Sequence, residues 1–112
     1  MDNLTQTYQK IIEKLLKDYA NFLGKDQQIE NELIFDKENH HYLLVETGWN
    51  NQERIYGTLI HIDIIDEKIW IQQDGTETGI ADELVTMGVE KQRIILGYKS
   101  LQRRKITEFA IV

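Results

Sequence analysis

Short polar turns between β-rich segments constrain the fold of this chain more than any other feature of its sequence. The segments His41–Thr47, Arg54–Ile65 and Lys68–Gln73 are rich in β-branched and aromatic residues, which favour strands. Asp66-Glu67 separates the last two segments, and Gly48–Glu53, which contains two adjacent asparagines, separates the first two. Connections this short join antiparallel neighbours, because a parallel pair needs a crossover of about a dozen residues or more. The sequence therefore predicts an antiparallel β-meander.

The N-terminal segment has the clearest helical pattern. Apolar residues recur at three- and four-residue spacing from Leu4 to Leu23, which places them in one stripe along a helix. We expect Asp2 or Asn3 to cap the first turn, and Gly24 to end the helix. The apolar stripe predicts that this helix packs on one face of the sheet.

Two further elements complete the predicted layers. A strand is expected at Glu32–Asp36, ahead of the meander segments described above. A second helix is expected near residues 76–87, with Thr76 or Thr78 as its cap and Gly88 as its end. The apolar segment Thr107–Val112 is expected to pair with the sheet or to pack against another subunit.

These elements predict a single two-layer α+β domain over residues 1–112. The composition, 41% hydrophobic and 29% charged, is that of an ordinary globular domain. The absence of cysteine excludes disulfides, thiolate metal sites and a cysteine nucleophile. No apolar stretch approaches the roughly 20 residues of a membrane span, and the first residues lack the pattern of an export signal. We therefore expect a cytoplasmic protein, and no sequence motif calls for a cofactor.

Charge is unevenly distributed along the chain. The net charge of −6 argues against a dedicated nucleic-acid-binding protein, whose affinity depends on neutralising phosphates. Residues 1–88 hold 7 Lys and Arg against 17 Asp and Glu, a balance of −10, whereas residues 89–112 hold 6 against 2, a balance of +4. The basic end is either a solvated face or a local contact for phosphate or an acidic partner.

One strand carries a candidate for metal or catalytic chemistry. His61 and Asp63 share a strand face, and Asp74 lies beyond the next turn. Such a trio is able to bind a divalent metal or to organise a nuclease-like site. A hydrogen-bonded structural histidine, or one at a subunit interface, is the alternative. The tandem His40-His41 begins a strand, so its rings are expected to face opposite ways and not to share an ion.

Five residues are candidates for contacts with a partner. Trp49 and Trp70 belong to a residue type that is enriched at binding hot spots, although core packing explains either one equally well. Arg103 and Arg104 lie in the basic stretch, and Phe109 lies in the apolar segment that follows it.

Eight short runs together form a family pattern. They are Leu33-Ile34-Phe35-Asp36, His41-Tyr42-Leu43-Leu44, Gly48-Trp49-Asn50, Leu59-Ile60-His61-Ile62-Asp63, Lys68-Ile69-Trp70-Ile71-Gln72, Asp74-Gly75-Thr76-Glu77, Gly79-Ile80-Ala81-Asp82-Glu83-Leu84 and Thr107-Glu108-Phe109-Ala110. In this order they resemble the XisI family, the fdxN element excision controlling factors. The resemblance covers nearly the whole chain.

The resemblance implies a function that the residues alone do not. Members of the family are cyanobacterial proteins linked to the excision of a DNA element during heterocyst differentiation. They resemble accessory factors that act with a site-specific recombinase and with a companion protein, XisH, which itself resembles a nuclease. The resemblance also implies a compact XisI-like α+β fold and a homo-oligomer, but it identifies no catalytic residues.

Three hypotheses of function follow. The first is a non-enzymatic accessory or regulatory factor that acts through protein partners, with no direct binding of nucleic acid. The second is an antitoxin-like inhibitor that masks an XisH-type nuclease, since an acidic surface is able to occupy a basic groove. The third is a metal-dependent nuclease that uses His61, Asp63 and Asp74.

Overall fold

The protein is seen in a computed structural model that describes residues 3–25 and 28–112. Three α-helices, five strands and a single 3₁₀ turn occur in these ranges. In chain order they are α1 (Leu4–Leu23), β1 (Ile29–Asp36), β2 (His41–Asn50), β3 (Glu53–Ile65), β4 (Lys68–Asp74), α2 (Ile80–Thr86), the 3₁₀ turn Lys91–Arg93, β5 (Ile94–Leu96) and α3 (Leu101–Arg104).

The five strands form one sheet in the order in which they occur along the chain. β1 to β4 pair antiparallel with their neighbours, which confirms the predicted meander. β5 pairs parallel with β4, because the connection that carries α2 returns the chain to the same end of the sheet. The sheet is therefore mixed at one edge, which the turn pattern did not predict.

Helix α1 begins and ends where its sequence pattern predicts. The side chain of Asn3 accepts a hydrogen bond from the Gln6 N–H at 2.8 Å, which satisfies a free donor of the first turn. Gly24 ends the helix at φ 73°, a conformation that glycine adopts without steric cost. The other predicted cap, Asp2, lies outside the described residues.

The core lies between α1, α2 and one face of the sheet. Alternate residues of the strands point into it, as the period of two requires. Its fully buried members, each at 0% exposure, are Ile12, Leu16, Tyr42, Leu44, Ile60, Ile62, Ile69, Ile71, Leu84 and Ile94. The predicted two-layer α+β arrangement is confirmed. No helix in the described ranges is long and apolar enough to cross a membrane.

Two details near the second helix differ from the sequence prediction. The helix begins at Ile80 rather than near residue 76, and its N-cap is Gly79 at φ 87°. The carboxylate of Asp74 causes the delay, because it accepts hydrogen bonds from the Thr76 N–H at 2.9 Å and from the Ile80 N–H at 2.9 Å. The loop is thereby held in a non-helical conformation until the helix begins.

The C-terminal segment forms less regular structure than its β-prone residues suggest. Helix α3 occupies the basic stretch, and Ser100 caps it by accepting from the Arg103 N–H at 3.3 Å. Beyond it, Ala110 makes one isolated parallel bridge with Ile95. The segment therefore touches the edge of the sheet, as expected, without forming a strand.

Candidate functional site

Two histidines converge on one buried carboxylate, on the face of the sheet opposite α1. Asp63 is only 7% exposed, and it is the one charged residue among the buried residues that the structure describes. His41 Nδ1 and His61 Nε2 each lie 2.7 Å from the same atom, Asp63 Oδ1. Because an ionised carboxylate only accepts hydrogen bonds, both rings present an N–H to it. We refer to these three residues as the His–Asp–His cluster.

Strand register builds the His–Asp–His cluster. His41 of β2 and Asp63 of β3 are direct partners across the antiparallel pair. His61 precedes Asp63 by two residues on the same strand, so both side chains point to the same face. The site therefore rests on two hydrogen-bonded strands, which position side chains more rigidly than loops do.

A bulge in β4 adds a fourth polar group. Between His61 and Ile62 the register shifts, and Gln72 is the extra residue on β4. Its side-chain Nε2 donates to Asp63 Oδ2 at 3.3 Å, so that both oxygens of the carboxylate have partners. Bulges commonly re-aim side chains beside functional sites, and this one turns an amide toward the carboxylate.

The cluster is electrostatically coupled and open to solvent. The hydrogen bond to Asp63 and its negative charge raise the pKa of His41 above its usual 6.5, while desolvation opposes them. The side chains of His41 and His61 are 49% and 31% exposed, whereas that of Asp63 is 9% exposed. A ligand therefore has access to the imidazoles, while the carboxylate forms the floor of the site.

The structure separates Asp74 from the other two predicted ligands. Its Oδ1 also accepts from the Thr76 hydroxyl at 2.6 Å, so that both carboxylate oxygens are engaged in capping the loop before α2. The trio predicted from sequence is thus not brought together as a trio. His41 takes the place that Asp74 was expected to fill.

The role of His41 is the feature that sequence reasoning missed. His40 and His41 do face different ways, but β2 begins at His41, so His40 is not on the strand as the sequence predicted. His40 lies in the turn at φ 60°, and its Nδ1 is 3.1 Å from the hydroxyl of Tyr42. The pairing of His41 with Asp63 depends on the register between β2 and β3. A search for local sequence motifs does not reveal that register.

Trp49 lies at the end of the β2–β3 hairpin, away from the core. It is 52% exposed, and the guanidinium of Arg54 lies over its ring at 5.4 Å from the centroid. The same guanidinium is 6.0 Å from the ring centroid of Tyr56, which is 73% exposed. This end of the hairpin is an exposed aromatic and cationic surface.

Trp70 and Arg104 are engaged with each other instead. The Arg104 guanidinium lies 5.3 Å from the Trp70 ring centroid, a cation–π contact. Arg104 also donates to the carbonyl oxygens of Lys99 at 3.0 Å and Ile111 at 3.2 Å. These contacts hold the C-terminal segment over the β4 side of the sheet, and Phe109 packs against the edge of the core.

The segment around α3 leaves apolar side chains in solvent beside cations. Ile106 is 86% exposed and Leu101 is 47% exposed, and the nearby Arg103 and Lys105 are exposed as well. We call these four residues the α3 surface. Of the predicted contact residues, Trp49 and Arg103 are exposed, whereas Trp70, Arg104 and Phe109 are partly buried.

A separate apolar cavity of about 320 Å³ opens between the end of α1 and the start of α2. Tyr19, Phe22, Ile80 and Met87 contribute to its lining. Phe22 itself is 80% exposed, and its ring is tilted by 41° relative to that of Tyr19, with 5.9 Å between ring centroids. No cluster of polar groups in the described ranges converges on this cavity comparable to that at Asp63.

Comparisons with known proteins agree with this architecture. The family model for the XisI protein matches residues 1–111. The crystal structure of a XisI-like protein from Anabaena variabilis superposes with a TM-score of 0.91 at 41% identity, over 96% of this chain and 99% of that one. That of the fdxN element excision controlling factor XisI from Anabaena variabilis superposes with a TM-score of 0.87 at 30% identity, over 98% and 100%. No curated protein matches the chain. From the family match and both superpositions, the chain belongs to the XisI family.

Proposed function

We propose that the protein is a non-enzymatic, cytoplasmic accessory factor that works by binding a protein partner of the XisH type. The similarity to a controlling factor for fdxN element excision supports a regulatory rather than a chemical role. A site-specific recombinase is the second partner in this proposal, and contact with DNA is left to the partners. The α3 surface is the observation that carries the proposal.

The α3 surface has the composition of a protein contact. Ile106 places nearly its whole side chain in water, although it is one of the larger apolar residues of the chain. Single exposed apolar residues are common, but grouped ones rimmed by charge mark interaction sites. Arg103 and Lys105 supply that rim, so the partner is expected to present an apolar pocket beside acidic groups.

The charge distribution supports protein contact over nucleic-acid contact. The basic residues of the C-terminal segment are partly used within the molecule: Lys91 pairs with Glu108 at 2.8 Å, and Arg93 donates to the Glu67 carbonyl at 3.3 Å. Arg104 is held against Trp70. Few cations remain to contact phosphates, and the net charge of −10 over residues 1–88 repels phosphates.

The net negative charge of residues 1–88 favours one more specific form of the proposal, an antitoxin-like inhibitor. A nuclease partner needs a basic groove for its substrate, and a body with this balance of charge is complementary to such a groove. Equimolar mixing is then expected to suppress cleavage by a purified XisH-like companion, and increasing salt to restore it. Unchanged cleavage at equimolar ratio contradicts inhibition but leaves accessory binding intact.

A pair of charge-introducing variants tests the α3 surface. Ile106→Asp is expected to weaken binding of the purified companion at least about 10-fold, because a buried charge replaces an apolar contact. Phe22→Asp is the matched control, since Phe22 is nearly as exposed but lies in α1. This variant is expected to leave the affinity for the companion unchanged within about 2-fold. Equal affinity for wild type and Ile106→Asp would exclude this surface.

The proposal also has consequences for the isolated protein. We expect it to form a homo-oligomer, with the exposed Trp49 end of the hairpin as the candidate contact. We expect no DNA cleavage with Mg²⁺ or Mn²⁺, and no DNA complex in a gel shift even at low salt. Cleavage that His61→Ala abolishes would replace the accessory role with a metal-dependent nuclease.

A further inference from the structure

We propose that the His–Asp–His cluster binds a divalent transition-metal ion of the Zn²⁺ type. This inference does not rest on the proposed function, and either one can fail while the other holds. It concerns His41, His61 and Asp63, which offer one ligand atom each. These three atoms lie within 4.8 Å of one another, and no other group of three potential ligands meets in the described ranges.

The spacing of the three atoms is close to that of a coordination sphere. Ligands at about 2.0–2.2 Å from a tetrahedral Zn²⁺ lie roughly 3.4 Å from each other. His41 Nδ1 and His61 Nε2 are 2.7 Å from Asp63 Oδ1, so an ion enters when each ring moves back by less than about 1 Å. Both rings are partly exposed and have solvent on one side to move into.

The surroundings of the carboxylate resemble the outer shell of a metal site. Gln72 Nε2 donates to Asp63 Oδ2, which leaves Oδ1 directed at the two imidazoles. Outer hydrogen bonds of this kind fix the orientation of ligands in metal sites. An ion that takes the place of the two N–H donors, whose protons move to the other ring nitrogen or to solvent, also neutralises a buried negative charge that otherwise depends on three hydrogen bonds.

The donor types select the class of ion. Imidazole nitrogens suit Zn²⁺, Ni²⁺, Cu²⁺ and Fe²⁺, whereas Mg²⁺ and Ca²⁺ prefer oxygen ligands alone. Three protein ligands leave at least one position open, and the exposure of His41 turns that position toward solvent. The site is thus expected to hold an ion with a water molecule, or with a donor from a bound partner, and to discriminate against Mg²⁺.

Binding to chelator-treated protein tests the site directly. Co²⁺ is expected to give the visible absorption bands of a nitrogen- and oxygen-ligated ion, and Zn²⁺ to raise the Tm and give one-to-one binding by calorimetry. His61→Ala and Asp63→Asn are each expected to weaken Zn²⁺ binding at least about 100-fold, since even outer-shell groups are worth about 10–100-fold. The Tm of each variant without metal reports whether it folds, and so separates loss of ligands from loss of structure.

His40→Asn is the matched control. It removes the neighbouring imidazole, which is hydrogen-bonded to Tyr42 and not to the cluster, and asparagine tolerates the positive φ of that position. Zn²⁺ affinity within about 2-fold of wild type is expected. Two results would overturn the proposal: no Zn²⁺ binding by the folded wild-type protein, or a loss in His40→Asn as large as that in His61→Ala. A Tm rise with Mg²⁺ equal to that with Zn²⁺ would overturn the choice of ion.

Discussion

His41 and Asp63 are direct partners across the β2–β3 pair, and 2.7 Å separates Nδ1 of the first from Oδ1 of the second. Asp63 follows His41 by 22 positions in the chain, so the contact exists only when the hairpin is in its native register. The contact joins the packing of the sheet to the chemistry of its open face. A slip of one residue would turn His41 into the core and destroy the cluster.

Removal of the shared carboxylate is expected to destabilise the fold. Asp63→Ala leaves His41, His61 and Gln72 without their common acceptor and leaves a small cavity, so we expect a loss of about 1–3 kcal/mol in the free energy of unfolding without metal. Asp18→Ala is the control, because Asp18 only forms an exposed pair with Lys14, and it is expected to cost less than about 1 kcal/mol. Urea unfolding measures both, and equal losses would contradict the structural role of Asp63.

The contribution to stability of the turn that leads into His41 is expected to depend on pH. The N–H groups of Asn39 and Glu38 and the side-chain amide of Asn39 all donate to Asp36, which lowers the pKa of its carboxyl below 3.8. A lowered pKa in the folded state means that this contribution to stability is present above pH 3.8 and is lost as the pH falls through the folded value.

An NMR titration of the Asp36 carboxyl measures this directly. A midpoint below 3.8 is expected in the folded protein, and a midpoint at or above 3.8 would contradict the hydrogen-bonded turn. In Asp36→Asn the side-chain oxygen still accepts, but this part of the pH dependence of stability should disappear.

Gly48 marks a point where two backbones approach closely. A Cβ at this position would collide with the carbonyl oxygen of Gln28 and lie 2.7 Å from the Cα of Ile29. Gly48→Ala is therefore expected to push the start of β1 away from β2 and to cost about 1–3 kcal/mol.

Gly57, which lies in β3 and so belongs with Gly48 to the β2–β3 pair, provides the comparison. No atom lies within 4 Å of a Cβ built there, so Gly57→Ala is expected to be neutral or to stabilise by up to about 1 kcal/mol. Hydrogen exchange of the β1 amides, together with chemical unfolding, measures the difference. Similar stabilities for the two variants would refute the close approach at Gly48.

Local patterns in the sequence were sufficient for much of the fold. The stripe of α1 and the β-rich runs with short turns depend on neighbours in the chain, and the structure places α1 at Leu4–Leu23 and β3 at Glu53–Ile65, close to the predicted bounds. The parallel pairing of β5 was not predictable in this way, because it depends on the path of the chain around α2. The same holds for the late start of α2, which one carboxylate, Asp74, determines.

The sequence predicted only part of the candidate site, for a similar reason. His61 and Asp63 are two residues apart, and their common strand face follows from that spacing alone. His41 joins them through the register between β2 and β3, and Gln72 joins them through a bulge in β4. No turn motif in the sequence predicts that bulge. Asp74, by contrast, was proposed as a ligand because it is close in sequence, but its oxygens are hydrogen-bonded to the loop before α2.

The proposed role depends on the binding of a protein partner, and co-expression with that partner shows whether such binding occurs. The chain and an XisH-like companion are co-expressed, purified through one tag on the companion, and measured by native mass spectrometry. We expect a hetero-complex of defined mass that persists through size exclusion, and we expect Ile106→Asp to weaken it. Recovery of the companion alone, with this protein found only as a separate homo-oligomer, would contradict the proposed role.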